Sequence, residues 1–287
     1  MLNIIKQNKY DIPKCLEIIN LIYDINNFFI ENELDEIVDK SNVGINKCKN
    51  LIEIAIMQSN EKLANASFVA SQLFNSYYKY SVYWKMLKKE EYKSSWIILQ
   101  DAIDSLICVL RFLNDKSQFN LDKLDFHFKQ LEKLYPYKVF GSTEIIFNKT
   151  KCSICGKDAL DLECTHVPGF LYWGEMAYTI VEDLEFKAVA MVNNPMDKRC
   201  VFEIEEGSEN EKERYKLLSF FKSNIDNPFM LFEINQSDKI FKNNKSKIGR
   251  NEICFCGSNL KYKYCCGKNL YSKGVHSEIK QLNIMTI

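Results

Sequence analysis

Apolar residues recur at three- and four-residue steps through the first half of the chain, the period of one face of an α-helix. Prolines are absent between Pro13 and Pro136, so nothing in this stretch forces a helix to end. The pattern predicts five helices, near 13–31, 34–58, 61–88, 92–114 and 120–135. Because the predicted connections are short, we expect antiparallel neighbours in a helical bundle. The clearest apolar stripe is Leu99, Ile103, Leu106, Leu110 and Leu113.

The period changes after Pro136, because the residue before a proline disfavours the helical region. Residues 137–147 have some strand character, and short β-type runs follow at 176–180, 186–192 and 200–204. A helix near 208–224 and a strand near 229–234 would complete a small α+β domain. A sheet of this size is marginal unless something else stabilises it.

Composition narrows the functional classes. The chain has 287 residues, of which 46% are hydrophobic, and 38 basic residues balance 38 acidic ones. A net charge of zero excludes a protein that coats nucleic acid or anionic lipid with its whole surface. No apolar run approaches the ~20 residues of a membrane span, and the first residues lack a signal-peptide core. We therefore expect a cytoplasmic protein that does not insert into a membrane.

The eleven cysteines are distributed unevenly. Four stand alone in apolar surroundings, where a free cysteine usually behaves as a small core residue. The other seven fall in two short windows, which in a reducing compartment indicates metal binding rather than disulfides. The four expected core cysteines are Cys15, Cys48, Cys108 and Cys200.

The C-terminal window contains a C-x-C pair and, eight residues later, an adjacent C-C pair. Gly257 and Ser258 directly after the first pair supply the tight turn that lets both sulfurs face one ion. Four thiolates suit Zn²⁺, which favours a tetrahedral sulfur shell. The predicted ligands are Cys254, Cys256, Cys265 and Cys266.

This window resembles the SEC-C motif, the zinc-binding tail of the translocase motor SecA. Departures from the family pattern fall at six positions that are not ligands: Glu252, Ile253, Phe255, Asn259, Leu260 and Tyr264. The likeness covers about 20 of 287 residues, and it implies zinc binding and, as in SecA, a partner-binding role. The matching residues are Ile248, Gly249, Arg250, Asn251, Cys254, Cys256, Gly257, Ser258, Lys261, Tyr262, Lys263, Cys265, Cys266 and Gly267.

The second window has a C-x2-C pair followed by glycine and, after eight residues, C-x-H. The predicted Cys3His ligands are Cys152, Cys155, Cys164 and His166. The alternative for His166 is a hydrogen-bonded surface histidine. Both predicted shells are complete with four protein ligands, the arrangement of structural rather than catalytic zinc. We expect two structural zinc ions per chain, each stabilising a small module.

The stretch around this window is similar to an uncharacterised pattern of bacterial and phage-associated proteins, C-x2-C…C-x-H-x-P-G-x3-Y-x-G. Tyr172 lies one position earlier than that pattern places it. The likeness implies no known activity.

Together these features predict an α+β fold class with three parts. We expect an N-terminal helical bundle at 1–140, a small zinc-stabilised α+β domain at 141–238, and a SEC-C zinc module at 246–270, with a polar linker at 239–247. The two zinc windows share their eight-residue spacer and little else in sequence.

The charge is asymmetric along the chain. Residues 239–273 hold nine basic residues against one acid, whereas residues 175–213 hold eleven acids against four bases. A basic tail with Lys261, Tyr262 and Lys263 would suit RNA or DNA, through phosphate contacts and stacking. Thiolates around zinc also favour nearby cations, and the acidic segment offers an intramolecular partner. A protein partner is therefore favoured over nucleic acid, which stays open.

A catalytic constellation is not evident from the sequence. Arg111 and His127 lie sixteen positions apart, which does not fit the R-x4–6-H motif of HEPN helical ribonucleases. No phosphate-binding loop or nucleophile elbow is present. The leading hypothesis is a non-catalytic zinc protein that binds a macromolecular partner. The alternative is a nucleic-acid-associated enzyme or phage-defence factor with its activity in the helical domain.

Overall fold

The computed structural model describes residues 2–7, 13–202, 213–225, 227–242, 249–254, 257–265, 267 and 271–284. They form helices and small sheets, which confirms the predicted mixed fold class. The chain divides into two compact units, one of residues 1–231 with 283–287 and one of residues 232–282.

The helical half follows the apolar pattern closely. A short helix that the pattern did not predict, α1 (Leu2–Gln7), precedes the rest; it has under two turns and too few positions to show a period. A 3-10 turn at Gln118–Asn120 leads into the last of the predicted helices. The five predicted helices are α2 (Pro13–Glu31), α3 (Leu34–Met57), α4 (Glu61–Lys88), α5 (Tyr92–Arg111) and α6 (Leu121–Glu132).

The first three connections between these helices share one local geometry. In each, a non-glycine residue takes a left-handed backbone conformation, and the next amide donates to a carbonyl five residues earlier. This hydrogen bond satisfies a carbonyl that the helix end leaves open. The left-handed residues are Asn32, Ser59 and Glu90, with N···O distances of 2.9, 2.8 and 3.0 Å in the following bonds.

Aromatic side chains form the core around α4. Tyr77, Tyr80, Tyr83 and Trp84 are all buried, so this helix packs its aromatic residues inward. Phe29 of α2 stacks on Phe229 with ring centroids 4.4 Å apart. Together with the hydrogen bond from Tyr80 to Pro228, 148 residues further along the chain, this contact joins the helical bundle to a distant segment.

A long two-stranded ribbon follows the bundle. Strand β1 (Phe140–Cys152) pairs antiparallel with a strand at Thr179–Val192, from Phe140 opposite Val192 to Cys152 opposite Thr179. Between these two strands in sequence lies a small hairpin, whose strands β2 (Leu171–Tyr172) and β3 (Glu175–Met176) have two residues each. The long return strand at Thr179–Val192 is therefore β4. The runs predicted at 176–180 and 186–192 are thus largely one strand, because a ribbon exposed on both faces tolerates the polar residues between them.

The other predicted elements of this region are shorter than expected within the described residues. The run at 200–204 contributes one bridge, between Val201 and Phe140, and its last two residues lie outside the described part of the chain. Helix α7 (Lys216–Asn224) represents the helix predicted at 208–224, whose residues 208–212 are likewise not described. Its Phe221 ring lies 6.0 Å from Trp84, and Lys222 pairs with Glu90 at 2.6 Å.

The second unit contains most of a second ribbon. Strand β5 (Met230–Lys242) pairs with β6 (Tyr271–Ile284), and a 3-10 turn at Tyr262–Tyr264 lies between them in sequence. The linker predicted at 239–247 is therefore wrong for residues 239–242, which continue β5. The polar C-terminal tail is a strand, because backbone pairing needs no apolar side chains.

None of the helices in the described residues combines the length and apolar character needed to cross a bilayer.

Candidate metal centres

The structure brings together the four residues predicted as the Cys3His site. The ligand atoms of Cys152, Cys155, Cys164 and His166 all lie within 4.8 Å of one another. The sulfurs of Cys155 and Cys164 are 3.6 Å apart, and the Cys164 sulfur lies 4.0 Å from His166 Nδ1. Ligands at ~2.3 Å on a tetrahedral ion stand about 3.8 Å from one another. The donor set and its spacing therefore fit Zn²⁺.

The first two cysteines lie in a knuckle at the end of β1. The Ile154 amide is 3.4 Å from the Cys152 sulfur, and the Gly156 amide donates to the Cys152 carbonyl at 2.9 Å. Gly156 has a φ of 72°, which glycine adopts at little cost. The backbone amide of Cys155, aided by that of Ile154, lowers the pKa of the Cys152 thiol. The knuckle backbone thus favours the thiolate form of Cys152, the form that binds metal.

The eight-residue spacer folds through two successive Asx turns. Asp158 accepts a hydrogen bond from the Leu160 amide, and Asp161 accepts one from the Glu163 amide, each at 2.8 Å. Lys157 pairs with Glu163 across the spacer at 2.8 Å. These local bonds return the chain so that Cys164 faces the first two cysteines.

The β2–β3 hairpin supports the histidine. The ring of Tyr172 packs edge-on against His166 with centroids 4.6 Å apart, and its hydroxyl accepts a hydrogen bond from the Val167 amide at 2.9 Å. The hairpin turns through Trp173 and Gly174, with φ values of 51° and 84°. Two consecutive positive φ values are typical of the type I′ turn of tight hairpins.

Asn65 on α4 attaches this hairpin to the helical bundle. Its Nδ2 donates to the Leu171 carbonyl at 3.3 Å, and its Oδ1 accepts from the Gly174 amide at 2.7 Å. A Cβ on Gly174 would lie 2.7 Å from Ile52 of α3, so only glycine allows this close approach. The sequence analysis did not single out Asn65; its only signal was a polar residue on the buried face of a helix.

The SEC-C window folds as a second knuckle within its described residues. The Cys254 amide donates to the Leu260 carbonyl and the Tyr262 amide to the Glu252 carbonyl, both at 2.7 Å. Gly257 takes a φ of 81° directly after the C-x-C pair, as the predicted turn requires. The Ser258 hydroxyl lies 3.0 Å from the Cys265 sulfur, where it can donate to a thiolate.

Two of the four predicted ligands can be placed here. Cys254 is buried and Cys265 is half-buried, whereas Cys256 and Cys266 lie outside the described residues. Gly267 follows the last cysteine, and a Cβ there would stand 2.5 Å from the Tyr262 carbonyl oxygen. The glycine therefore lets the chain pass close to the 3-10 turn.

The surface of the SEC-C knuckle combines apolar and basic side chains. Ile253, Leu260 and Tyr264 are exposed, each by more than half of its area. The Lys263 ammonium lies 4.9 Å from the centroid of the Tyr264 ring. Tyr262 is buried, which leaves Tyr264 as the exposed aromatic face among the described residues of the knuckle.

The two residues that were compared with the HEPN ribonuclease motif lie in different environments. His127 is fully buried, with Nε2 2.5 Å from the Tyr80 hydroxyl, whereas Arg111 is exposed. Glu182, on β4, pairs with Lys149 and Lys151 of β1 at 2.9 and 2.6 Å. These ion pairs give its carboxylate a structural role across the ribbon.

The lone cysteines divide into two groups. Cys15 and Cys48 are buried, as predicted, and burial raises the pKa of Cys15 to about 11. Cys108 is half-buried and Cys200 is exposed, so the core prediction is wrong for Cys200. Cys200 follows the turn after β4, where its carbonyl accepts the Gly141 amide.

Residues 250–268 match the family model of the SEC-C motif, so the chain carries this motif. Its curated relatives are translocase subunits. The protein translocase subunit SecA of Aliarcobacter butzleri is 36% identical over 72 residues, which cover 25% of this chain and 8% of that protein. SecA of Sulfurimonas denitrificans is 31% identical over 96 residues, 33% of this chain and 10% of that protein.

SecA of Treponema denticola is 74% identical over 23 residues, which cover 8% of this chain and 2% of that protein. The chain therefore spans about a tenth or less of the length of these relatives. No solved structure matches it. The family model places the SEC-C motif at residues 250–268 of this chain.

Proposed function

We propose that this chain is a non-catalytic zinc protein that holds two structural zinc ions and uses its SEC-C module to bind a protein partner. The observation that carries the proposal is the convergence of Cys152, Cys155, Cys164 and His166 on one point, in a chain that also carries a SEC-C motif at residues 250–268. Four protein ligands leave no coordination position for water or substrate, which is the structural type of site.

The SEC-C surface supports a protein partner. Three exposed apolar side chains, Ile253, Leu260 and Tyr264, lie on a knuckle that also carries Arg250, Lys261 and Lys263. Apolar contacts surrounded by basic residues fit a partner surface with apolar and acidic groups. Burial of Tyr262 removes one of the two tyrosines that could have stacked on bases.

Metal analysis of the intact chain tests the first part. We expect two zinc ions per chain by inductively coupled plasma mass spectrometry. One ion or none would contradict the proposal, and so would a disulfide among the eight predicted ligands.

Capture from native lysate tests the second part. The Ile253→Asp, Leu260→Asp double variant should lose a partner that the wild-type chain retains. The matched control is Leu160→Asp, Leu162→Asp, two still more exposed leucines on the tip of the first knuckle. Point variants are preferable to truncation of the chain after Lys245, because truncation would also remove β6, the strand that pairs with β5. Equal loss in both variants, or loss in neither, would contradict the assignment to SEC-C.

The alternative, a nucleic-acid-associated enzyme in the helical domain, has one observation in its favour. A groove of about 490 Å³ between α5 and α6 is lined by four basic residues, Arg111, Lys116, Lys129 and Lys198, although Lys129 pairs with Asp125 and Lys198 with Glu132 in the same groove. Its weakness is His127, which is buried and therefore cannot act with Arg111 on a substrate. Binding to RNA or DNA that weakens steeply as salt rises would favour this alternative.

A further inference from the structure

One face of the β1–β4 ribbon is an exposed apolar stripe. Directly opposed residues of an antiparallel pair share a face, and the register opposes Thr143 to Val189, Ile145 to Phe186 and Phe147 to Leu184. The large side chains of this face are Phe147, Leu184, Phe186, Val189 and Met191, and each is between 50% and 71% exposed.

The opposite face of the same ribbon is mixed, and Ile146 is its one large apolar side chain between 142 and 146. This face carries the pairs Ser142–Ala190, Glu144–Ala188 and Ile146–Glu185. The register shifts at Lys187, and the Lys187 ammonium bonds the Glu185 carboxylate at 2.5 Å. In the middle of the ribbon, the side chains of Glu144 and Glu185 therefore lie on the face opposite the stripe. The stripe residues between 141 and 147 carry no charge.

The two ends of the stripe differ in shape. At the knuckle end, Phe147 and Leu184 project, and the ion pairs of Glu182 with Lys149 and Lys151 lie beyond them. At the other end, a cavity of about 400 Å³ is lined by Gly141, Thr143, Val189, Met196 and Phe202, and by Asp197, whose carboxylate pairs with Arg199 at 2.9 Å. The stripe thus offers a projection at one end and a recess at the other.

We propose that this stripe is the interface with a second copy of the chain. A two-fold axis through the middle of the stripe places the Phe147–Leu184 projection of each copy over the recess of the other. Such self-complementarity is what an isologous interface requires. The stripe lacks the charge by which a different partner would be selected, whereas an apolar face suits its own duplicate.

The size of the stripe fits this role. Five half-exposed side chains of roughly 100 Å² each supply about 500 Å² of apolar surface per copy. A standard stable interface buries ~800 Å² per partner, part of it a polar rim. Face-to-face packing also gives each two-stranded ribbon the second layer without which such ribbons are marginal.

Sedimentation velocity of the full-length, zinc-loaded chain tests the proposal. We expect a dimer at roughly 50 µM protein, a concentration at which a Kd near 1 µM leaves few monomers. Phe147→Lys should weaken the dimer by about 30-fold or more, the effect of losing an interface hot spot. Its control is Ile146→Lys, the same charge on the neighbouring exposed residue of the opposite face, which should remain dimeric.

Val189→Lys, at the recess, should dissociate the dimer as Phe147→Lys does. Each of the two equivalent contacts joins Phe147 and Leu184 of one copy to the recess of the other copy. Zinc content and the helical circular dichroism signal report folding. If a lysine variant alters either of them, Leu184→Ser removes the same contact more gently and carries the same expectation. A monomeric wild-type chain would overturn the proposal, as would dissociation by Ile146→Lys to the same extent as by Phe147→Lys. None of these results depends on whether SEC-C binds a partner.

Discussion

At the residue scale, His127 shows how burial decides what a titratable group can do. Its imidazole lies in the aromatic core beside Tyr80, whose hydroxyl also donates to the Pro228 carbonyl at 2.5 Å. Burial lowers the pKa of His127 to about 3, with a small opposing effect from the Pro228 backbone. The residue is thus neutral in the folded protein, and a histidine in the unfolded chain protonates near pH 6.5.

This difference predicts a pH dependence of stability. Between about pH 6.5 and 3 the unfolded chain binds a proton that the folded chain does not, so the free energy of unfolding falls as the pH falls, by up to about 1.4 kcal/mol per unit. His127→Gln, which keeps a donor for Tyr80 and does not titrate, should show a shallower slope. Urea unfolding followed by helical signal at about pH 7, 6 and 5 measures it.

Zinc release at low pH would add its own slope, because metal ligands must be deprotonated. The comparison therefore uses samples whose zinc content is unchanged over the pH range. Parallel curves for the two proteins would show that His127 does not contribute.

The cysteines allow a second test at this scale. Cys164→Ser should lower the zinc content by one ion per chain and destabilise the first knuckle, because three ligands bind zinc less tightly than four. Cys200→Ser is the control, an exposed cysteine outside both clusters, and should leave the metal content unchanged. Equal zinc content in the two variants would argue against Cys164 as a ligand.

The cluster of Cys152, Cys155, Cys164 and His166 could be predicted from the sequence because its residues are local. Cys152 to His166 span fifteen positions, and their spacing alone brings them to one point through a knuckle and two Asx turns. Asn65 could not be found this way, because its partners lie more than a hundred positions away. A single polar residue on a helix carries no signal of such a distant hydrogen bond.

At the element scale, the hairpin of β2 and β3 links the first knuckle to the bundle through Asn65. Asn65→Ala would leave the Gly174 amide and the Leu171 carbonyl without this partner, at a cost of about 1–3 kcal/mol. We expect faster amide hydrogen exchange at 171–176, and weaker zinc retention because Tyr172 supports His166. Asn65→Asp keeps the acceptor for Gly174 and should have a smaller effect on that amide. Unchanged exchange in Asn65→Ala would contradict this role.

Helices were predicted better than strands for a physical reason. Helices α2 to α6 bury one face in a common core, so their apolar residues must recur with the helical period. Strands β4 and β6 lie in two-stranded ribbons, where backbone pairing sets the structure and many side chains face water. No alternation is then required, so the sequence analysis predicted two runs around β4 and no strand at β6. The three domain boundaries stay a prediction.

At the scale of the whole molecule, the aromatic core stabilises the helical bundle, whereas the proposed zinc ions would stabilise the two knuckles. The bundle has its own core, in which Tyr80 contacts Phe29, Phe128 and Trp84, whereas the knuckles bury few apolar residues. Binding of a structural zinc is worth ~10–16 kcal/mol in small modules, so metal loss should unfold the knuckles first.

A chelator titration checks this division. Excess of a zinc chelator should leave the helical circular dichroism signal nearly intact while hydrogen exchange rises at 152–178 and 249–267. Added zinc should reverse the change, and added magnesium, which prefers oxygen ligands, should not. Loss of the helical signal in step with the metal would show instead that the bundle depends on zinc.

The two knuckles share more than their eight-residue spacer. Each lies in sequence between two strands that pair with each other, of 13 and 14 residues in both cases. In the first ribbon, Cys152 and Thr179 form the last rung of the ladder. The residues from 153 to 178 therefore leave and rejoin the ribbon at neighbouring positions, ~5 Å apart.

An excursion with adjacent ends can be exchanged for a tight turn without displacing what flanks it. A longer loop, a different metal-binding module or a simple turn could connect the strands at the Cys152–Thr179 pair. Evolutionary lineages that share the helical bundle could thus have gained, lost or replaced residues 153–178 as one piece, while the fold of the bundle stayed the same.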